Sequence, residues 1–170
     1  MIVLGLGTNM GDRLAYLKNA IRYLSKSVLN ITAISPVYES PALLKPDAPE
    51  EWNINFLNLA IMGETNFAPQ ELLEQIKIIE KKVGRQDRGI WAPREIDIDI
   101  LAYDNLILYE DNLQIPHIHL CERAFALLPF ADISPDWHYP AKGEFNGKTA
   151  CEIAKIFADG ATMKTGLRVR

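Results

Sequence analysis

Cysteine is scarce in this 170-residue chain: there are two, Cys121 and Cys151, and they form no CxxC pair. A disulfide framework is therefore not what organises the fold, and a reducing compartment is the expectation. Long apolar runs are missing as well. No stretch approaches the roughly 18 consecutive apolar residues that a membrane helix needs. The opening Met1-Ile2-Val3-Leu4-Gly5-Leu6-Gly7 has no basic flank, and Asn9, Asp12 and Arg13 break its continuation, so a secretory signal is not expected. Surplus positive charge is lacking too: 18 Lys and Arg face 22 Asp and Glu, a net charge of -4. A dedicated nucleic-acid binder needs an excess of cations to displace counterions, and that class is set aside. No GxxxxGK[ST] occurs, which excludes a P-loop, and there is no internal repeat. The expected location is the cytoplasm, with neither nucleic acid nor membrane as partner.

What is present suits one packed core. Hydrophobic residues make up 48% and charged residues 24%, and a single domain over 1–170 is expected. Ile2 to Leu6 predicts a buried strand ending in glycines. Leu14, Leu17, Ile21 and Leu24 recur at helical spacing behind Asp12. Residues 31–34 and 37–38 predict a second strand interrupted by Pro36, at an edge or bend. A proline-marked loop over 41–53 precedes a third strand, Phe56 to Met62, with Leu57, Leu59 and Ile61 on one face. Pro69 opens a helix with buried Leu72, Leu73, Ile76, Ile79 and Val83, and Gly84 closes it. After a polar loop over 86–93, Glu95 to Tyr103 is the clearest strand, turned by Asp104-Asn105 into a hairpin with residues 106–108. A short helix is expected over 123–128. Thr149 and Glu152 have capping-box spacing for a last helix to about 158. This order predicts an α+β, ferredoxin-like split βαβ sheet with flanking helices.

Asp97-Ile98-Asp99 is the strongest chemical signal. Residues two apart on a strand share a face, so the carboxylates lie about 7 Å apart at Cα, with Glu95 expected beside them and Ile96, Ile98 and Ile100 buried opposite. Such a face is at ease in full solvent or around a cation such as magnesium. A lone DxD is more often a solvated sheet face; Arg85 and Arg94 alongside shift the balance, because metal and guanidinium together suit a triphosphate. Each arginine taken singly is equally well an ordinary surface ion pair. Gly5-Leu-Gly7-Thr-Asn-Met-Gly11 is one residue too long for the dinucleotide fingerprint, and Asn9 is available to a ligand or as a brace for the loop. His117 suits a neutral donor to phosphate or a structural hydrogen bond, and His119 a structural role. Together they make a poor zinc site.

Seven motifs occur in order: Gly7-Thr-Asn-Met-Gly-Asp12, Tyr38-Glu-Ser-Pro41, Phe56-Leu-Asn-Leu-Ala60, Glu80 with Gly84-Arg85, Trp91-Ala-Pro-Arg-Glu-Ile-Asp-Ile-Asp-Ile-Leu101, Ile115-Pro-His117 and Arg123-Ala-Phe125. Over about residues 1 to 135 the chain resembles the 6-hydroxymethyl-7,8-dihydropterin pyrophosphokinases of folate synthesis. The resemblance implies diphosphate transfer from ATP to the pterin alcohol with release of AMP. It implies two magnesium ions on Asp97 and Asp99, with Arg85 and Arg94 on the phosphates or guiding catalysis. Glu80, Arg88, Ile100, His117 and Arg123 would complete the ATP site. The pterin would lie between Trp91 and Phe125, read by Asn58, by backbone near Ser40 and Leu43, and flanked by Phe56. The loops at 42–53 and 85–93 are expected to close over ATP. Relatives can be fused to neighbouring folate enzymes such as dihydropteroate synthase, and a monomer is expected for this chain.

The sequence also departs from the pattern. The loop from Gly84 to Trp91 is one residue short, Phe56 replaces a common tyrosine, and Asn112, Gln114 and Ile118 stand where arginine, threonine and tyrosine occur. The rival readings are another metal-dependent nucleotidyltransferase and a non-catalytic ferredoxin-like binding module.

Overall fold

The computed structural model describes residues 1–89, 92–157 and 160–169. Alternation along β1 (Ile2–Thr8) sorts the molecule into layers. Ile2, Leu4 and Leu6 lie on one face with Leu57, Leu59 and Ile61 of β4 (Phe56–Glu64) and Ile98 and Ile100 of β5 (Asp97–Tyr103). Helices α1 (Arg13–Ser27) and α2 (Pro69–Val83) cover this face with Leu17, Leu24, Leu72 and Ile76, all fully buried. Each such side chain contributes about 1.5–3 kcal/mol through burial. Val3, Ala60, Leu101 and Ala102 lie on the other face, beneath Leu127 and Phe130 of α3 (Ala124–Ile133) and Ile153 of α4 (Ala150–Ala154).

The sheet runs β5-β1-β4-β3-β8, where β3 is Tyr38–Ser40 and β8 is Met163–Lys164, and β2 (Asn30–Ile34) also pairs with β4. Every pairing is antiparallel. The core order is the expected ferredoxin-like one. Strands β2 and β3 succeed one another along β4 because Pro36 has no N–H to continue the ladder. Between them Ser35 exchanges bonds with Ala60, its N–H reaching the carbonyl and its Oγ accepting the Ala60 N–H, both at 2.9 Å.

Helix ends follow the sequence closely. Asp12 caps α1 by accepting from the Ala15 N–H, Pro69 opens α2, Gly84 closes it at φ 120°, and Thr149 with Glu152 forms the capping box of α4. Four expectations are corrected. The hairpin is β6 (Leu108–Glu110) with β7 (Leu113–Ile115), not residues 106–108 on β5. Leu106, Leu108, Leu113 and Ile115 pack into the core beside α2, and an in-plane extension of the sheet would leave them in water. Helix α3 runs on to Ile133, and α4 stops at Ala154, followed by a 3-10 turn over Lys155–Phe157. Strand β5 begins at Asp97, so Glu95 precedes it. Among the described residues no helix is long and apolar enough to cross a membrane.

Gly63 sits where β2 crosses β4, and a Cβ there would lie 2.4 Å from the Asn30 carbonyl oxygen. Gly63→Ala therefore destabilises the fold by about 1–3 kcal/mol, read as a lower urea midpoint at unchanged slope.

Candidate active site

A single row of residues crosses the sheet beneath α3. In register, Asp97 faces Gly7, Gly7 faces Asn58, Asn58 faces Tyr38, and Asp99 faces Gly5. Directly opposed residues share a face, so the carboxylates of β5 and the amide of β4 stand on either side of a strip of β1 that has no side chains. The strip is needed. A Cβ on Gly7 would come within 3.1 Å of Asn58 Oδ1, and one on Gly5 within 3.1 Å of Leu101 Cδ1. The result is a cavity of about 140 Å³ floored by Gly5 and Gly7, with Asp97, Asp99 and Arg94 at one end and Ser40, Asn58 and Phe125 toward the other.

At the charged end Asp97 holds two arginines: Arg85 Nη1 donates to Oδ1 at 2.6 Å, and Arg94 Nη1 to Oδ2 at 2.9 Å. Arg85 is itself aimed by Glu80, buried in α2, at 2.6 Å. Glu80 also accepts Lys77 Nζ at 3.0 Å and the Ile98 N–H at 2.8 Å, and the latter bond ties α2 to the start of β5. Asp99 has neither arginine. Its burial, and then the charge of Asp97 beside it, push its carboxyl up to about 7. A second cavity, of about 300 Å³, opens between α2 and the 85–94 loop. In its lining Lys77, Lys81, Arg85, Arg88 and Arg94 outnumber Glu80 and Asp87, so it is cationic. The two cavities share Arg94.

Among the described residues no three His, Cys, Asp or Glu side chains could hold a metal unaided. Magnesium needs fewer: one or two carboxylates suffice when phosphate oxygens and waters fill the other positions. Two half-buried like charges, one resisting ionisation, are the donor set such a cation would relieve.

At the apolar end, Asn58 Nδ2 donates to Ser40 Oγ at 2.9 Å, which fixes the amide and leaves its oxygen to the cavity. Phe56 and Leu43 line the same cavity, Leu43 on the exposed rim. Arg123 lies 5.8 Å over the Phe125 ring. The structure thus brings together Ser40, Leu43, Phe56, Asn58, Arg94, Asp97, Asp99, Arg123 and Phe125 around one cavity, with Arg85 behind Asp97. Trp91 lies outside the described residues.

Other expected residues stand differently. Glu95 does not join the aspartates: it is buried against Arg88 at 2.7 Å and accepts the Gln86 N–H, so it shapes the loop. Arg88, engaged there, faces the cationic cavity and not the carboxylates. Ile100 buries its side chain in the core on the opposite face, so only its main chain is available to a nucleotide. The His117 ring accepts the His119 N–H through Nδ1 at 3.2 Å, which puts its proton on Nε2. Burial, then Arg123, hold it down at about 4, so it is a neutral donor. His119 pairs with Glu122.

The structure adds one residue whose role the sequence left open between ligand contact and brace. Asn9 is a brace: its Oδ1 accepts the Arg94 N–H at 2.9 Å, its N–H reaches the Arg94 carbonyl, and its Nδ2 donates to Ile54 O. It fastens both loops that flank the cavity to the end of β1. A buried asparagine straight after a glycine-rich strand end was the available signal.

The profile of the 7,8-dihydro-6-hydroxymethylpterin-pyrophosphokinase family matches residues 3–135. The chain belongs to that family. A 2-amino-4-hydroxy-6-hydroxymethyldihydropteridine pyrophosphokinase of Aquifex aeolicus is 43% identical over 167 residues, covering 91% of this chain and 98% of that protein. The protein of that name from Methylorubrum extorquens is 40% identical, covering 78% and 82%. The folate synthesis bifunctional protein of Chlamydia muridarum is 36% identical over 92% of this chain, which spans 35% of its length. The crystal structure of Plasmodium falciparum HPPK-DHPS shares the fold, with TM-score 0.68 at 18% identity, over 92% of this chain and 44% of that one.

The raised Asp99 carboxyl has a pH signature. A group whose folded value lies above its unfolded value stabilises the fold at low pH and loses that contribution as pH rises through the folded value. The Asp99 contribution is therefore lost as pH rises from 3.8 to about 7, while His117, held at about 4 against its usual 6.5, adds stability over much of the same interval, so Asp99→Asn should gain stability with pH relative to the parent. Thermal melts across pH check this.

Proposed function

We propose that this chain transfers the terminal diphosphate of ATP to the hydroxymethyl oxygen of 6-hydroxymethyl-7,8-dihydropterin, with release of AMP. The observation that carries the reading is the junction at Arg94: a ring-sized cavity that holds an oriented amide and a carboxylate pair shares this residue with a cationic cavity. In the transfer the pterin oxygen forms a bond to the β-phosphorus, the bond from that phosphorus to the α-phosphate bridging oxygen breaks, and AMP leaves with that oxygen.

Each residue has a part that follows from its place. A flat ring gains from stacking on Phe125 and Phe56, and the Asn58 amide oxygen accepts from a pterin N–H while Ser40 holds the amide in plane. Trp91 would supply the facing ring. The triphosphate lies toward Lys77, Arg85 and Arg94, whose charges offset what develops on the transferring group. Glu80 keeps Arg85 aimed, and His117 offers its Nε2–H to a phosphate oxygen without adding charge. Asp97 and Asp99 would hold two magnesium ions, whose chemistry is to bind phosphate oxygens and neutralise the group in transfer. No covalent nucleophile is required, and positioning accounts for most of the rate. The loops that Asn9 fastens at their bases, 42–53 and 85–93, close over bound ATP. The reaction belongs in the cytoplasm, in keeping with two unpaired cysteines. In a longer protein the partner enzyme would be a dihydropteroate synthase.

The test is AMP release from ATP, magnesium and the pterin. AMP should form only with the pterin present and stop with a chelator, and Asp97→Ala or Asp99→Ala should lower kcat by at least about 10²–10³-fold. ADP in place of AMP would mean a single-phosphate kinase. ATP binding without turnover would leave a binding module.

A further inference from the structure

The ring cavity has two walls that belong to different layers. One is the sheet, with Ser40 and Asn58; the other is α3, with Phe125. On α3, Phe125 and Asp132 are seven residues apart and so lie along one face of the helix. Asp132 reaches back to the sheet. It accepts from the Tyr38 hydroxyl at 2.6 Å through Oδ2 and from Lys164 Nζ at 2.9 Å through Oδ1. Tyr38 is buried, stands opposite Asn58 on one side and Lys164 on the other, and is two residues from Ser40. Lys164 also lies 5.7 Å over the Tyr38 ring. The strand that delivers it is short, but Thr165 secures it by donating both its N–H and its hydroxyl to the Val37 carbonyl, at 2.8 and 3.0 Å.

We propose that Tyr38, Asp132 and Lys164 form a positioning bridge that sets the spacing between the two walls of the ring cavity. The segment after residue 160 thereby governs affinity for the pterin without touching it. This rests on the reading of the cavity as the pterin site. None of the three lines the cavity or meets the carboxylate pair, so the bridge acts on the ring and not on phosphate chemistry. Lys164 lies beyond the family match at 3–135, so the bridge ties the matched part of the chain to residues outside it. Asp132 is the hub. Its two oxygens hold one group from the sheet interior and one from the outermost strand, so loss of either leaves the carboxylate held from one side only.

Steady-state kinetics of Lys164→Met, Tyr38→Phe and Lys164→Arg test the bridge. Lys164→Met should raise KM for the pterin about three- to tenfold while KM for ATP and kcat stay within about twofold, and Tyr38→Phe should show the same split. Lys164→Arg should restore the parent value. An equal rise in both KM values, or an unchanged pterin KM in an enzyme that still releases AMP, would overturn the bridge and leave the reaction standing. Amide exchange provides an arm independent of turnover. Lys164→Met should speed exchange in 38–40 and 124–133 together, and faster exchange in the outer strand alone would overturn the proposal. Parent protein that ignores the pterin would defeat the proposed reaction, and the exchange result would then decide the bridge by itself.

Discussion

Because β1 lies between β4 and β5, its side chains are the floor of both faces of the sheet. One face must bury α1 and α2, which requires Ile2, Leu4 and Leu6. A period of two then assigns Val3, Gly5 and Gly7 to the other face. Val3 begins the second core under α3, and from Gly5 onward that face has no bulk. The apolar packing and the cavity are thus one arrangement seen from two sides. A one-residue slip in β1 would put leucines in the cavity and glycines in the core. Asp97 and Asp99 inherit their exposure to the cavity from the same alternation, since Ile98 and Ile100 fill the opposite face.

The charged end depends on a buried carboxylate that does not face the cavity. Glu80 is nearly inaccessible, yet it takes Arg85, Lys77 and the Ile98 N–H. Burying an unpaired carboxylate is costly, so these partners are obligatory, and satisfying them fixes the distance from α2 to β5. Arg85 then meets Asp97 at a defined point instead of searching a surface. Asn9 does the corresponding work on the loop side by holding the Arg94 backbone.

Regular alternation and helical spacing made the sheet order, the helix caps and the carboxylate pair legible before any coordinates. Asp97, Asp99 and Asn58 were readable because strand period alone decides which way they point. Glu95 departs from the expectation because strand alternation does not extend ahead of Asp97, where the chain bends and Arg88 draws the carboxylate away. The β6–β7 hairpin was misplaced because the pattern of residues 106–108 records burial and not the partner strand. Strand β8 escaped notice for a plainer reason. Met163-Lys164 is too short to show a period, and its pairing with β3 is secured by bonds to Val37 and Asp132, far off in sequence. Interactions between distant residues leave no local trace.

A protein of net charge -4 that is to bind a nucleotide must concentrate its cations. Here five of them line one cavity, and four are already paired: Arg85 and Arg94 with Asp97, Arg88 with Glu95, and Lys77 with Glu80. The ligand-free site is therefore close to neutral, and Asp97 is occupied. A bare metal ion would have to draw Asp97 from two arginines and ionise an Asp99 that resists it. A triphosphate alone would have to draw the arginines from Asp97 and strand that carboxylate. On the proposed reading, arrival of both would let Arg85 and Arg94 pass from Asp97 to phosphate while Asp97 passes from guanidinium to metal. Neither side loses its counterion. On that reading the ion pairs at Asp97 would couple metal binding to nucleotide binding, and by linkage each would raise the affinity for the other by the same factor.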